Sequence, residues 1–218
     1  GLQYQMTNPF SRTWLRLFSL AGLALLFLRP LPARADAVVT DCTQAALAAA
    51  LAGGGNVTFT QACDITLANS LTITRNVSLK NASGQAVIIS GNNLVRLFVV
   101  EPNVTFTLNG LTLTQGKGPN GGAIYINPGA TLLATSCVFA GNTATNTDGV
   151  AGTNGVIKAN GFGTDGGNGG NGPSSWGGAI YNLGYLGLSA CQFLTNTAVG
   201  GNGGNGGKGG DGSFQGGN

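Results

Sequence analysis

Apolar residues return along this chain at a nearly constant interval, and that interval limits the folds open to it. Leu79, Phe106 and Leu132 open similar short strands at almost equal steps, and the step from Leu113 to Phe139 matches that from Phe106 to Leu132. Leu186 and Phe193 repeat Leu132 and Phe139 after roughly twice that step, across a glycine-rich insertion at 144–175. With the insertion set aside, that coil has about 22 residues, within the range of known structural repeats. A coil built of such short strands cannot bury an apolar face alone. Stacked on its neighbours about 4.8 Å away, each strand joins a parallel sheet and its inward residues join a continuous core.

The strands read as period two. Val57–Phe59, Leu71–Ile73, Val77–Leu79, Val87–Ile89, Val104–Leu108 and Leu111–Leu113 alternate apolar and polar, with Asn, Gly and Ser between them. Threonine fills outward positions because it is β-branched and polar. Asparagine and glycine suit corners that need left-handed or tight backbone. Residues 56–199 are therefore read as stacked parallel coils, with 144–175 a dispensable flexible excursion and 200–218 a further glycine-rich loop. Before them, residues 36–55 hold an alanine-rich helix from an N-cap at Asp41 to Ala52, stopped by Gly53-Gly54-Gly55. Its apolar face, Ala45, Leu47, Ala48 and Leu51, is expected to seal the open end of the first coil.

Four cysteines divide into two pairs by position. Cys42 at the helix start and Cys63 in the first strand region are expected to form a disulfide. Cys137 and Cys191 each lie two residues before a repeated phenylalanine, which stacks them in neighbouring coils. Parallel stacking points both side chains the same way and disfavours the disulfide torsion, so a ladder of two thiols is expected over a bridge.

Two motifs recur in the same order. Gly121-Gly122-Ala123-Ile124-Tyr125 returns as Gly177-Gly178-Ala179-Ile180-Tyr181, and Phe139-Ala140-Gly141-Asn142 returns as Phe193-Leu194-Thr195-Asn196, each followed by Thr-Ala. The combination of GGA-I with F-x-x-N resembles the repeat signature of the polymorphic outer-membrane proteins and related bacterial β-helix adhesins, within the broader pectin-lyase-like class. The resemblance covers about residues 40–200. It implies an all-β, right-handed, single-stranded parallel β-helix on the cell surface or secreted. It also implies an adhesin-like or scaffolding role toward a host or environmental surface protein or polysaccharide. The residues also read physically. The glycine pair allows a tight turn, Ala and Ile enter a narrow core, the phenylalanines stack, and the asparagine serves backbone groups of adjacent rungs.

The first 35 residues read as a signal peptide. Arg12 and Arg16 precede an apolar stretch from Leu17 to Leu28, and Ala33-Arg34-Ala35 sets cleavage before Asp36. That stretch is short of the roughly 20 residues a spanning helix needs. The chain begins at Gly1, its only methionine is Met6, and its last residues lie in a glycine run. It is therefore expected to be the N-terminal part of a longer protein, translated from Met6, with residues 1–5 upstream of the start. After the cut, six basic residues face seven acids, a net charge of 6 − 7 = −1. The basic excess belongs to the export segment and gives no argument for nucleic acid.

The acids Asp36, Asp41, Asp64, Glu101, Asp148, Asp165 and Asp211 are not adjacent and do not recur at the coil spacing, and the chain has no histidine. No catalytic cluster is expected within these residues. The alternative reading is the N-terminal part of a carbohydrate-active β-helix enzyme, a polysaccharide lyase or hydrolase, with active coils beyond Asn218. No cofactor is expected. Calcium is the one ion the sequence hints at, because Gly206–Asp211 begins like a calcium-binding nonapeptide, but Ser213 stands where that repeat needs an apolar residue.

Overall fold

The structure is a computed structural model that describes Gly1, residues 36–158 and residues 162–211. The expected signal peptide lies, apart from Gly1, outside the described residues, and so does Ser213. Strand β1 (Ala37–Val39) leads into α1 (Gln44–Gly53), the single helix among the described residues. Everything after it is strand, turn or irregular chain, in four parallel sheets. The first stacks β1, β2 (Gly55–Phe59), β5 (Val77–Asn81), β8 (Thr105–Asn109), β12 (Thr131–Thr135) and β16 (Tyr185–Ser189). The second stacks β3 (Cys63–Thr66), β6 (Val87–Ser90), β9 (Thr112–Thr114), β13 (Val138–Ala140) and β17 (Gln192–Leu194). The third stacks β4 (Leu71–Ile73), β7 (Phe98–Val100), β11 (Ile124–Ile126) and β15 (Ile180–Asn182), and the fourth stacks β10 (Lys117–Gly118), β14 (Thr143–Thr145) and β18 (Thr197–Val199). From β2 onward the chain visits the first, second and third sheets in cyclic order, and from β10 it adds the fourth between the second and third.

The inward rows form one core. Val57, Phe59, Leu79, Phe106, Leu108, Leu113, Leu132 and Phe139 are all fully buried. Phe106 pairs with Leu132 and Leu132 with Leu186; Leu113 pairs with Phe139 and Phe139 with Phe193. Leu79 belongs to a different row from the one its spacing suggests. It pairs with Val57 and Leu108, while Val77 faces Phe106. The repeat that starts at Leu79 therefore ends at Leu108, two positions beyond the Phe106 that the apolar alignment implies. A slip of two keeps side-chain parity, so Leu79 still points inward.

The corners stack as well. Gly110, Ser136 and Ala190 have φ of 68°, 53° and 52°, and Gln115, Gly141 and Thr195 have 51°, 62° and 52°. Left-handed corners therefore recur at fixed places in the coil whether or not glycine fills them, because the turn between successive sheets requires that conformation.

At the N-terminal end, α1 lies against β1, β2 and β4. Thr43, not Asp41, is its N-cap: the Ala46 amide donates to Thr43 Oγ1 at 3.2 Å, and Thr43 Oγ1 donates to Asp41 at 3.3 Å. Leu47 and Leu51 are buried and Ala48 is half-buried as expected, but Ala45 is exposed, since the apolar stripe turns toward Ala50 instead. Gly54, at φ 70°, closes the helix with its N–H on the Leu51 carbonyl. The Cys42–Cys63 disulfide forms, with Cα atoms 5.3 Å apart, and ties the helix start to β3.

Candidate functional site

The recurring motifs sit where two coils meet. Gly121 and Gly177 occupy stacked left-handed positions, φ 68° and 64°. A Cβ on Gly122 would lie 2.4 Å from the Gly178 carbonyl oxygen, and one on Gly178 would lie 2.5 Å from that of Thr197, so neither position admits a side chain. Ala123, Ile124 and Ala179 are buried and Ile180 is half-buried. Asn142 is fully buried. Its Oδ1 accepts from the Gly116 amide at 2.8 Å, and its Nδ2 donates to the Leu113 carbonyl at 3.0 Å. Asn196 repeats this one coil later, accepting from the Asn142 amide at 3.0 Å and donating to the Phe139 carbonyl at 2.8 Å. The Asn142 side-chain amide also donates to Asn196 Oδ1 at 2.9 Å, which makes the two a ladder. Phe139 and Phe193 stack at 4.9 Å with planes 9° apart, but Phe193 is 46% exposed because its outer face belongs to the last described coil.

On the outside of the third sheet, Arg96 lies over the Tyr125 ring at 5.0 Å, and Tyr125 meets Tyr181 at 5.4 Å. Arg96 donates to the carbonyls of Gly121 at 2.9 Å and Asn120 at 2.7 Å. Burial draws its guanidinium below the ordinary value, partly offset by Tyr125. These contacts hold the turn before the GGA-I motif.

The glycine tracts are built rather than loose. Ala144, at the start of the expected excursion, is a buried residue of β14. Beyond that strand, three runs, 147–158, 162–173 and 200–211, lie side by side. The amides of Gly149, Gly152 and Gly155 donate to the carbonyls of Asn202, Asn205 and Lys208 at 2.7–2.8 Å. Those of Gly204, Gly207 and Gly210 donate to Gly170, Gly167 and Thr164 at 2.8 Å, and those of Gly170 and Gly167 donate to Val150 and Thr153 at 2.7 Å. Each run thus donates to the next around a closed triangle, with one bond at every third position. A period of three is the turn of polyproline II, which has no internal hydrogen bonds and so leaves its amides and carbonyls open to water or to neighbouring runs. Glycine faces the neighbouring runs because nothing else fits. A Cβ on Gly152, Gly169 or Gly204 would lie 2.0, 1.9 or 2.1 Å from a carbonyl oxygen of an adjacent run.

The outside of this bundle has two characters. The first run presents Val150, Val156 and Ile157, which are 81%, 64% and 56% exposed. The second and third present Asn168, Asn171, Asn202 and Asn205, also exposed. Two acceptor side chains of the first run cap amides of the third: Asp148 receives the Asn202 N–H at 2.7 Å and Asn154 the Lys208 N–H at 3.0 Å. The step of three is visible in the sequence, but the partners are not, because they lie far apart along the chain. Gly206 and Lys208, from the calcium-like stretch, lie in the third run, and the Lys208 backbone serves the bundle.

Among the described residues, no three of His, Cys, Asp and Glu gather as a metal site, and no helix is long and apolar enough to cross a membrane. No protein-family model, curated protein or solved structure matches the chain.

Proposed function

We propose that the chain is a right-handed parallel β-helix exported to the cell surface or the medium, and that it acts as an adhesin-like interaction scaffold rather than an enzyme. The cyclic visiting of the sheets and the stacked corners support the solenoid reading. The GGA-I and F-x-x-N repeats support the relationship to bacterial surface β-helix proteins. The observation that carries the functional reading is the glycine-run bundle. It is an ordered projection on a side of the coil stack, held by backbone bonds that free its outer side chains. Those side chains repeat at every third position, about 9 Å along a polyproline II run. A regular row of asparagine amides beside an apolar ridge suits an extended, repeating partner such as a polysaccharide, or the surface of a protein.

The test is binding by the purified chain to immobilised polysaccharides and to a glycan array, with Gly204→Val as the variant that breaks the bundle. Binding that disappears in Gly204→Val while the β-sheet circular dichroism signal stays supports the reading. Equal binding by both proteins removes the bundle as the contact surface. New reducing ends or unsaturated products released from a polysaccharide would overturn the scaffold reading in favour of an enzyme.

A further inference from the structure

Cys137 and Cys191 take no part in the disulfide; Cys137 is buried and Cys191 half-buried. They stand immediately before β13 and β17, whose register joins Val138 to Gln192 and Phe139 to Phe193. The Gln192 amide donates to the Cys137 carbonyl at 2.9 Å, which carries the register back to the cysteines. The two side chains adopt the same local setting. Each Sγ lies against the carbonyl two residues back, Cys137 on Thr135 at 3.3 Å and Cys191 on Ser189 at 3.4 Å, and Cys191 Sγ also reaches the Ala134 carbonyl of the preceding rung at 3.4 Å. Both follow a left-handed residue, Ser136 or Ala190. The stacked backbone and the shared contact two residues back set the two sulfurs about one rung apart, about 4.8 Å.

That separation is too long for a disulfide, which needs about 2.05 Å between sulfurs and a torsion near 90° that parallel side chains do not offer. It matches another bond pattern. A metal–thiolate bond is about 2.3 Å, so two of them end to end span about 4.6 Å. An ion placed midway between the sulfurs would have linear two-coordination along the stacking axis. Tetrahedral zinc is excluded by the donor set, since the chain has no histidine and no third ligand gathers among the described residues. Thiolate ligands select soft ions, and a soft monovalent d10 cation accepts two ligands in line.

We propose that Cys137 and Cys191 form a two-thiolate site for one soft monovalent d10 cation of the copper(I) class. Binding replaces two S–H bonds by two S–metal bonds and releases two protons, with no change of oxidation state. Burial pushes the Cys137 thiol up, against backbone hydrogen bonding at Leu111 and with a further push from Cys191. The half-buried Cys191, on the last described coil, gives the ion its way in.

Silver(I) is the probe, because it shares the charge and ligand preference of copper(I) without its redox chemistry. Silver nitrate is titrated into the full chain, without reductant and in chloride-free buffer. The readouts are native mass spectrometry, free-thiol counting and proton release. The expected result is one silver ion per chain, both thiols blocked together, and two protons released per ion. Cys191→Ser, at the half-buried position, should keep the fold by circular dichroism and bind silver more than about 100-fold more weakly, a larger loss than removing an outer-shell partner causes. Cys137→Ala should do the same. Two silver ions per chain, unchanged affinity in Cys191→Ser, or a native chain that already lacks free thiols would each overturn the proposal.

Discussion

Replacing Gly204 by alanine tests whether the glycine runs are a packed structure. A Cβ at Gly204 would stand 2.1 Å from the Val150 carbonyl oxygen and 2.5 Å from its carbon, where ordinary contact begins at 3.4 Å. Both atoms are backbone, so the runs must part locally to restore contact distance. That opens the triangle at one level: Gly204 to Gly170, Gly170 to Val150, and Gly149 to Asn202. At about 1 kcal/mol net per bond, the loss is about 3 kcal/mol of local stability. Gly203 is the control. Its Cβ would meet nothing nearer than the Gly170 oxygen at 3.9 Å, and its φ lies outside the left-handed region, so alanine fits there. The assay is amide hydrogen exchange in the 147–158 and 162–173 runs. Gly204→Ala should speed exchange there about 100-fold, the factor that about 3 kcal/mol implies for a locally opening segment, and leave the β-strand core slow. Gly203→Ala should leave both unchanged. If the two variants exchange alike, or if the runs exchange at the unstructured rate in the parent, the packing argument is wrong.

Four further outcomes follow from the stacked strands. Phe139→Ala should cost about 3–5 kcal/mol in denaturant unfolding, while Phe193→Ala, half-exposed in the same row, should cost less than half as much. Gly122→Ala, whose Cβ would strike the Gly178 carbonyl, should destabilise far more than Gly141→Ala, which has open space and carries only the left-handed penalty of about 1 kcal/mol; thermal melts compare them. Thiol counting on unreduced, denatured protein should find two groups. Because the folded-state pKa of Cys137 is raised, its contribution to stability is full below the ordinary thiol value of 9.0 and falls as pH rises beyond it, so Cys137→Ala should flatten the alkaline loss of stability seen in urea titrations.

Much of the sheet core is legible in the sequence because period two leaves no choice of face. All six strand segments read from alternation lie in or against strands of the structure, and the Leu113–Phe139–Phe193 row is visible as a spacing. Apolar spacing misplaces Leu79 because the coils from Val57 to Leu79, from Leu79 to Leu108 and from Leu108 to Ala134 share no single length, and a two-residue slip leaves the hydrophobic pattern unchanged. The corners are half legible. Gly110, Gly121 and Gly141 announce a left-handed backbone, but Gln115, Ser136, Ala190 and Thr195 adopt it against their own preference, held there by the neighbouring rungs. The glycine tracts mislead most. A glycine-rich stretch reads as a flexible linker, and the bonds that order these runs join segments whose proximity is set by the sheets. The Asn142–Asn196 ladder, by contrast, follows from the motif alone, because an amide at a recurring buried corner has backbone partners above and below.

The two ends of the stack differ, and this gives the molecule a direction. At one end, α1 packs on β1, β2 and β4, and the Cys42–Cys63 bridge ties its start to β3. At the other, β15, β16, β17 and β18 are each the last strand of their sheet among the described residues, around an open concavity of about 360 Å³ lined by Ala179, Ile180, Leu186, Phe193, Thr195 and Asn196. Such a surface is a seed. It offers edge hydrogen bonds, a phenylalanine face and an asparagine at the pitch of the next layer, so a strand arriving there gains its contacts at once with little lost to alignment. Growth of order from a closed end toward an open one is the motion of a zipper with a fixed stop. As the chain is made from its N-terminus, each repeat finds the one before it already in place as its template.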